Sequence, residues 1–508
     1  MSLSPEVFSP FPSRLPASFR SPLGGRLAAI VPGLALLLAG VGTHSACADT
    51  TYTTYTATPS NFTQTVQDNS NPPYAGFYTS GTSNLGLYAN GGSGGIGSDP
   101  QAVAFRTLTS DGTNSGSTAV PLQVGQSITI TLSLSGSQGI NGNSIGFSLN
   151  NGTAASTTTN YNTGGRFELS FTGGDTYAAV YDNGGKETTG VSYGDFSGGQ
   201  TYTLTLVSAN EYNFTASDGD ATINIGKLSG TSGAAINSFS LFNRGYNNSD
   251  ATFAPITVTN LSTITLTAAS GTTSNVTGVI SNNSTTGTNS ITKSGSGTVV
   301  LQANNTFSGT TTISAGTLQI ANDNGATTSG QLSGTSNITI NSGGTLLLSG
   351  SSAVTDRINN SATFTLNGGT FNTGGLKEGA ASTPGIGALT LQASSVLDLS
   401  TTGSLVAFAD SHGATWTGGA KLSIYDYTPG SDSVYFGSTS SALTSTQLSQ
   451  IEFYSGAGTG DLGSAGILAS GQIVPVPEPA TWLAGLLICG LVGCSQRRRL
   501  RGLLCQSA

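Results

Sequence analysis

Between positions 51 and 261 the apolar residues fall on every second position, in short runs broken by glycine and asparagine. The runs are SITITLSL at 127–134, SIGFSL at 144–149, RFELSF at 166–171, YAAVY at 177–181 and TYTLTL at 201–206. ATINI at 221–225, SFSLFN at 238–243 and ITVTNL at 256–261 continue the series. Alternation with period two gives a strand one buried face and one solvated face. Breaks such as Asn183-Gly184-Gly185 and Asp218-Gly219 supply the positive-φ residues of tight hairpins. Composition removes the main competitor. Only 8% of the 508 residues are charged, 36% are hydrophobic and 72 are glycine, which is not the Ala/Leu/Glu/Lys-rich makeup of helical bundles. A net charge of −8 with recurring β-formers also argues against charge-driven disorder. At least eight strands over 49–262 fit a two-sheet sandwich or jelly roll.

Charge and cysteine narrow the chemistry. From Asp49 to Pro477 there are nine Lys and Arg against 22 Asp and Glu, so no basic footprint for nucleic acid is present. All four cysteines (Cys47, Cys489, Cys494, Cys505) lie outside that stretch, which excludes disulfides and cysteine-based zinc sites within it.

The two ends read as addresses. Arg14, Arg20 and Arg26 precede the apolar run LAAIVPGLALLLAGV at 27–41, and the small residues Ala46 and Ala48 flank Cys47. This is the layout of a secretory signal peptide over 1–48, cleaved before Asp49. A lipoprotein reading would cleave before Cys47, but His44 stands where a Leu-like residue is wanted. At the other end, 475–501 combines Pro477-Glu478-Pro479, an apolar stretch at 480–494 and a basic run containing Arg497, Arg498 and Arg499. Fifteen helical residues span roughly 22 Å, short for a membrane core but workable with small flanking residues. The arginines would stay cytoplasmic, leaving the body outside.

This tail resembles the PEP-CTERM sorting signal. The resemblance implies a membrane-embedded exosortase as sorting partner, transient anchoring in the inner membrane, and release to the cell surface or extracellular matrix. The segments at 142–147 (GNSIGF), 171–174 (FTGG) and 241–243 (LFN) resemble concanavalin-like jelly-roll modules of other sorted bacterial proteins.

From about position 262 the aromatics thin out and Thr, Ser, Gly and Asn dominate. The segment at 291–320, ITKSGSGTVVLQANNTFSGTTTISAGTLQI, contains three short strands at 298–301, 310–313 and 317–320. Its Lys293-Ser294-Gly295-Ser296-Gly297 opening, followed by Asn-Thr-Phe-Ser-Gly and Ala-Gly-Thr-Leu, resembles the autotransporter-associated β-strand repeat. Partial echoes stand at 337–348, 362–373 and 388–399. A unit of this kind cannot bury its own apolar face, so stacked units form a right-handed parallel β-solenoid, here expected over 263–420. Residues 421–474 are expected to close it. Leu443, Leu448 and Ile451 are spaced for a short helix opened by Thr444 or Ser445. Asp432, Phe436-Gly437 and Gln447-Leu448 complete a resemblance to the last element before such sorting tails.

Catalytic constellations are scarce. His412 is the one histidine of the body and sits in a polar turn without a nucleophile elbow nearby. Asp175, Asp182 and Asp195 stand beside turn glycines or asparagine, where backbone capping explains them. Asp218 and Asp220 flank Gly219 but lack the later Glu of an EF-hand and read as a turn. The glycine-rich run at 91–97 has no following Lys-Ser/Thr and does not read as a phosphate loop. Tyr177, Tyr181, Tyr193, Tyr202 and Tyr212 read as packing residues before they read as a sugar-binding face. The solenoid's Lys293, Arg357 and Lys377 have no matching acidic cluster for polysaccharide cleavage.

The expectation is therefore an all-β chain. It has a jelly-roll sandwich, a right-handed parallel solenoid and a single C-terminal hydrophobic helix. Its role is expected to be structural or adhesive, with no catalytic, cofactor or metal residues. Attachment to extracellular polysaccharide is the alternative, and polysaccharide cleavage the less favoured one.

Overall fold

The computed structural model describes residues 49–476, apart from 68–73, 90–99, 113–117, 136–143, 153–161, 163, 246–249, 285–286, 322–329, 351–354, 382 and 401–402. Ala46, Ala48, Pro477, Glu478, Pro479, Arg497, Arg498 and Arg499 lie outside the described residues, as do the apolar stretch at 480–494 and the glycine-rich run at 91–97. Among the described residues no helix is long and apolar enough to cross a membrane.

The alternating runs of the first half form two antiparallel sheets. In the seven-stranded sheet the order is Gly185–Ser192, Tyr177–Asp182, Gly165–Thr172, Ser144–Asn150, Ser238–Arg244, Gln101–Thr107 and Thr63–Gln67. The nine-stranded sheet centres on Gln126–Leu134, which pairs with Gln200–Leu206 on one side and with Ala251–Phe253 and Ile256–Asn260 on the other. Ile128, Ile130 and Leu132 of one sheet meet Phe147, Phe167 and Leu169 of the other in a single buried cluster. Aromatic rings bridge the layers: Phe147 lies 5.8 Å from Tyr202, and Phe167 meets Tyr212 edge-on at 5.2 Å. The opposite face of the same strands is polar, with Thr131 and Thr201 hydroxyls 2.8 Å apart across the ladder.

From Thr263–Thr267 onward the pairing becomes parallel and the chain winds into a β-solenoid. One face stacks six strands: Thr263–Thr267, Ser290–Ser294, Thr310–Ile313, Asn337–Asn341, Thr363–Asn367 and Leu389–Ala393. A second face stacks Thr273–Val276, Thr298–Leu301, Gly316–Ile320, Gly344–Leu348, Thr370–Asn372, Ser395–Asp398, Leu422–Tyr425 and Ile451–Tyr454. Register is kept from turn to turn, so Val299, Leu318, Leu346, Phe371, Leu397, Ile424 and Phe453 form one interior ladder. Each of these side chains is buried. No turn could hide them alone; stacking removes them from water at roughly 25 cal/mol per Å².

Past position 420 the parallel pairing continues through Leu422–Tyr425 to Ile451–Tyr454. It then becomes antiparallel through Asp461–Ile467 and Gln472–Val476. The short helix Ser445–Leu448 lies in this region, capped by Thr444, whose hydroxyl accepts the Gln447 N–H while the Gln447 side chain accepts the Thr444 N–H. Ile451 belongs to the strand after the helix rather than to the helix itself.

The described parts of the sandwich and solenoid belong to one compact unit. Val207 and Ile225 of the antiparallel part enter the solenoid's apolar cluster beside Ile264 and Val276. Ile225 has φ +59°, unusual for a β-branched residue, at a register shift opposite Tyr212 and Phe214. Its N–H donates to Asn213 Oδ1. Glu211 is fully buried between the two parts, accepting the Thr277 N–H at 3.1 Å and the Gly278 N–H at 3.2 Å. It also accepts the hydroxyls of Ser208 and Thr277.

Candidate functional site

The repeat motif at 291–320 covers two successive turns of the solenoid, Ser290–Ser294 stacking on Thr310–Ile313 and Thr298–Leu301 on Gly316–Ile320. Lys293 occupies an interior ladder position between Leu266 and Ile313, where an aliphatic residue would be expected. Its stem is buried, and the ammonium donates to the carbonyls of Ser294 and Gly295 at 2.7 Å and of Ala315 at 3.0 Å. Those carbonyls belong to the tight glycine corner, where strand pairing leaves acceptors open. Burial pushes the Lys293 pKa down. Asn305 is equally buried: its side chain accepts the Ile280 N–H and donates to the carbonyls of Ala303 and Gln331. Phe307 is buried in the solenoid's apolar cluster. Lysine and asparagine here are internal braces of the coil.

The candidate ligand site is a groove on the outer face of the seven-stranded sheet. It encloses about 430 Å³ and is lined by Ser144, Asn162, Glu168, Ser170, Thr172, Tyr181 and Arg244. Alternation places these side chains there, because Phe167, Leu169 and Phe171 point into the core and Glu168, Ser170 and Thr172 point away. Asn162 donates to Glu168 Oε2 at 3.1 Å, and Arg244 Nε donates to Gln101 Oε1 at 3.0 Å. Hydroxyls, a carboxylate, a guanidinium and one phenol ring in a single groove make a surface suited to polar, ring-shaped ligands.

At one edge of the same sandwich, three carboxylates come together. Asp195, in the turn after Gly185–Ser192, and Asp218 and Asp220, in the hairpin after Glu211–Ala216, place one oxygen each within 4.8 Å of one another. Asp195 accepts the Ser192 N–H and hydroxyl at 2.7 and 2.8 Å. Asp218 accepts the Asp220 N–H and the Gln200 amide.

The other sequence-level candidates separate. Asp175 pairs with Lys186 at 2.6 Å on the exposed rim. Asp182 accepts the Gly184 N–H, as its turn position implied, and also the Tyr212 hydroxyl at 2.7 Å from the facing sheet. Tyr202 and Tyr212 are buried core residues, Tyr177 is exposed, and Tyr181 lines the groove. His412 is exposed, its N–H donating to Asp410. Lys377 is exposed and Arg357 is buried. Glu168 and Arg244 were missed as groove residues; their outward phase in alternating strands was the available signal.

Comparison with known proteins adds one family match and several distant structural likenesses. Residues 291–320 match the passenger-associated-transport-repeat family. The match covers the lysine-braced corner and the turn stacked on it, and points to an exported surface protein. No curated protein matches the chain. Among solved structures, the ligand-binding domain of botulinum neurotoxin serotype D, in complex with N-acetylneuraminic acid, is similar at 9% identity and TM-score 0.24, covering 42% of this chain and 48% of that one. This chain thus spans about half of that neurotoxin domain's length. A carbohydrate esterase from the Shiga toxin-encoding bacteriophage phi24B is similar at 15% identity and TM-score 0.27, over 42% of this chain and 100% of that one. A glycosyl hydrolase family protein from Mycobacterium fortuitum is similar at 14% identity and TM-score 0.24, over 41% and 97%. Likeness at this level identifies neither a ligand nor an activity.

Proposed function

We propose that the protein is a non-enzymatic display protein of the cell surface or extracellular matrix. In this reading the concanavalin-like jelly-roll sandwich is the presented head and the solenoid the spacer. The observation that carries it is the in-register solenoid containing the passenger-type turn. Eight stacked strands on one face give a stiff rod of roughly 34 Å, at about 4.8 Å per strand. Export uses the signal peptide over 1–48. The tail over 475–501 then anchors the chain in the inner membrane until an exosortase, reading Pro477-Glu478-Pro479 ahead of the arginines, releases it. The test is to replace Pro477 and Pro479 with alanine and follow the protein on intact cells by surface labelling. Retention in the membrane fraction is expected, and unchanged release overturns the sorting assignment.

A second reading, favoured by the groove, is that the head attaches to extracellular polysaccharide. Glu168 and Arg244 would hydrogen-bond sugar hydroxyls, and Tyr181 would supply an apolar ring face. Hydrolysis is less favoured because the described lining contains one carboxylate, Glu168, where glycosidases use two. A glycan array probed with the full chain is expected to give hits that fall at least tenfold with Glu168→Gln and Arg244→Met. Hits insensitive to both changes place binding elsewhere.

A further inference from the structure

The carboxylate cluster at the sandwich edge has a buried neighbour that ordinary packing does not explain. Tyr202 is 1% exposed, and its hydroxyl makes no hydrogen bond. A buried hydroxyl without a partner is costly and calls for a ligand, an ion or a water. The negative charges of Asp218 and Asp195 act on this phenol and, after burial itself, push its pKa up. The local framework agrees. Gln200, two residues earlier on the same inward face, donates to Asp218. Phe196, next to Asp195, packs its ring 6.1 Å from that of Tyr202.

Charge and coordination chemistry then choose the ligand class. Three carboxylate oxygens within 4.8 Å repel one another, and neither ion pair found among the described residues involves them. Carboxylates gathered from two turns suit calcium, which takes about six to eight oxygen ligands in flexible geometry, whereas magnesium demands near-ideal octahedral geometry and keeps several of its waters. We propose that Asp195, Asp218 and Asp220 hold a calcium ion, with the Tyr202 hydroxyl completing its shell directly or through one water. Sequence could suggest only half of this site. Asp218-Gly219-Asp220 lacks the later glutamate of an EF-hand, and its third carboxylate comes from a turn 23 residues earlier in the chain.

With three carboxylates and partial exposure, affinity belongs in the 10⁻⁴–10⁻³ M range of extracellular modules. The ion would cross-link the Tyr193–Gly198 turn to the hairpin between Glu211–Ala216 and Thr222–Lys227. It would therefore tighten the sandwich edge where calcium is plentiful. The site is independent of the groove and of the display role.

The test uses the purified full-length chain and calcium or magnesium chloride alone. Calcium at a large excess over Kd is expected to raise Tm by roughly 3 °C or more, and magnesium to raise it far less. Titration calorimetry should give one calcium per chain. Asp218→Asn with Asp220→Asn should abolish the shift while leaving the metal-free Tm unchanged or higher, since the repulsion is gone. If that pair fails to fold, Asp220→Asn alone serves, because it leaves the Gln200–Asp218 contact intact, and at least a tenfold weaker affinity is expected. Tyr202→Phe should fold and bind calcium roughly tenfold more weakly. No calcium-dependent shift, an equal response to magnesium, or a shift that survives the aspartate changes overturns the site. Unchanged affinity in Tyr202→Phe removes the phenol from it.

Discussion

At the scale of single residues, the solenoid buries charge that its composition gave little reason to expect. Glu378, in strand Lys377–Ala380, is fully buried and accepts the Arg357 N–H at 2.9 Å and the Ile358 N–H at 2.9 Å. Two amide donors do not offset the loss of water: burial pushes its pKa up to about 8, against an ordinary 4.5. Between those values the folded chain binds the proton and the unfolded chain has released it. Stability conferred by Glu378 is therefore complete below about pH 4.5 and declines as pH rises toward 8, by up to roughly 1.4 kcal/mol per pH unit. Glu378→Gln keeps the shape and removes the titration. Chemical denaturation at about pH 5 and about pH 8 should show the wild type losing more stability than the variant over that interval. Equal losses would mean that the carboxyl is ionised throughout. Asp432, also buried, accepts three backbone N–H groups, from Gly403, Ser404 and Thr428.

At the scale of elements, the solenoid corner sets tight steric limits. A Cβ on Gly297 would stand 2.0 Å from the Ala269 carbonyl oxygen of the turn below, and its nearest neighbours are all backbone, with no flexible side chain to yield. Gly297→Ala is expected to cost about 2–3 kcal/mol or more, read as a drop in denaturation midpoint without a change in slope. An unchanged midpoint would show that the stack can open there. This geometry explains what the sequence could and could not reveal about the elements. Strands Thr298–Leu301 and Thr310–Ile313 were legible to the residue, because alternation and flanking glycines both mark them. The Thr444 cap was legible through its Gln three residues on. Strands Ala75–Ser80 and Asn84–Ala89 were not, because Gly76 and Gly86 interrupt their alternation. The ring of Tyr88 covers Gly76 and that of Tyr78 covers Gly86, so the missing side chains are supplied from across the ladder. The carboxylate cluster and the groove were illegible for a different reason: both are assembled from strands and turns that only sheet order brings together.

At the scale of the whole molecule, the sandwich does for the solenoid what a terminal cap must do. The first turn would otherwise present Ile264, Leu266 and Val276 to water at its open end; Val207 and Ile225 cover them. Polar contacts tie the same boundary, including Asn283 to Asn260 at 3.0 Å and Asn289 to the Val124 carbonyl at 3.2 Å. Glu211 is the most concentrated of these ties, since one carboxylate serves acceptor-hungry groups on both sides. Truncating it to alanine would remove the acceptor of the Thr277 and Gly278 N–H groups at the half-exposed boundary, a loss of roughly 1–3 kcal/mol. The loss falls on the boundary and not on either core, so its main consequence should be lost cooperativity. Two probes can separate the parts. Trp416 lies in the solenoid, its indole donating to the Leu389 carbonyl and its ring 6.2 Å from Phe436, so with the second tryptophan replaced (Trp482→Phe) the fluorescence follows the coil. The tyrosine-rich core around Tyr202 and Tyr212 dominates the near-ultraviolet signal of the sandwich. In the wild type the two probes should report one midpoint, the signature of a single cooperative unit. In Glu211→Ala the midpoints should separate, and coincident midpoints would show that Val207 and Ile225 hold the two parts together by apolar contact alone.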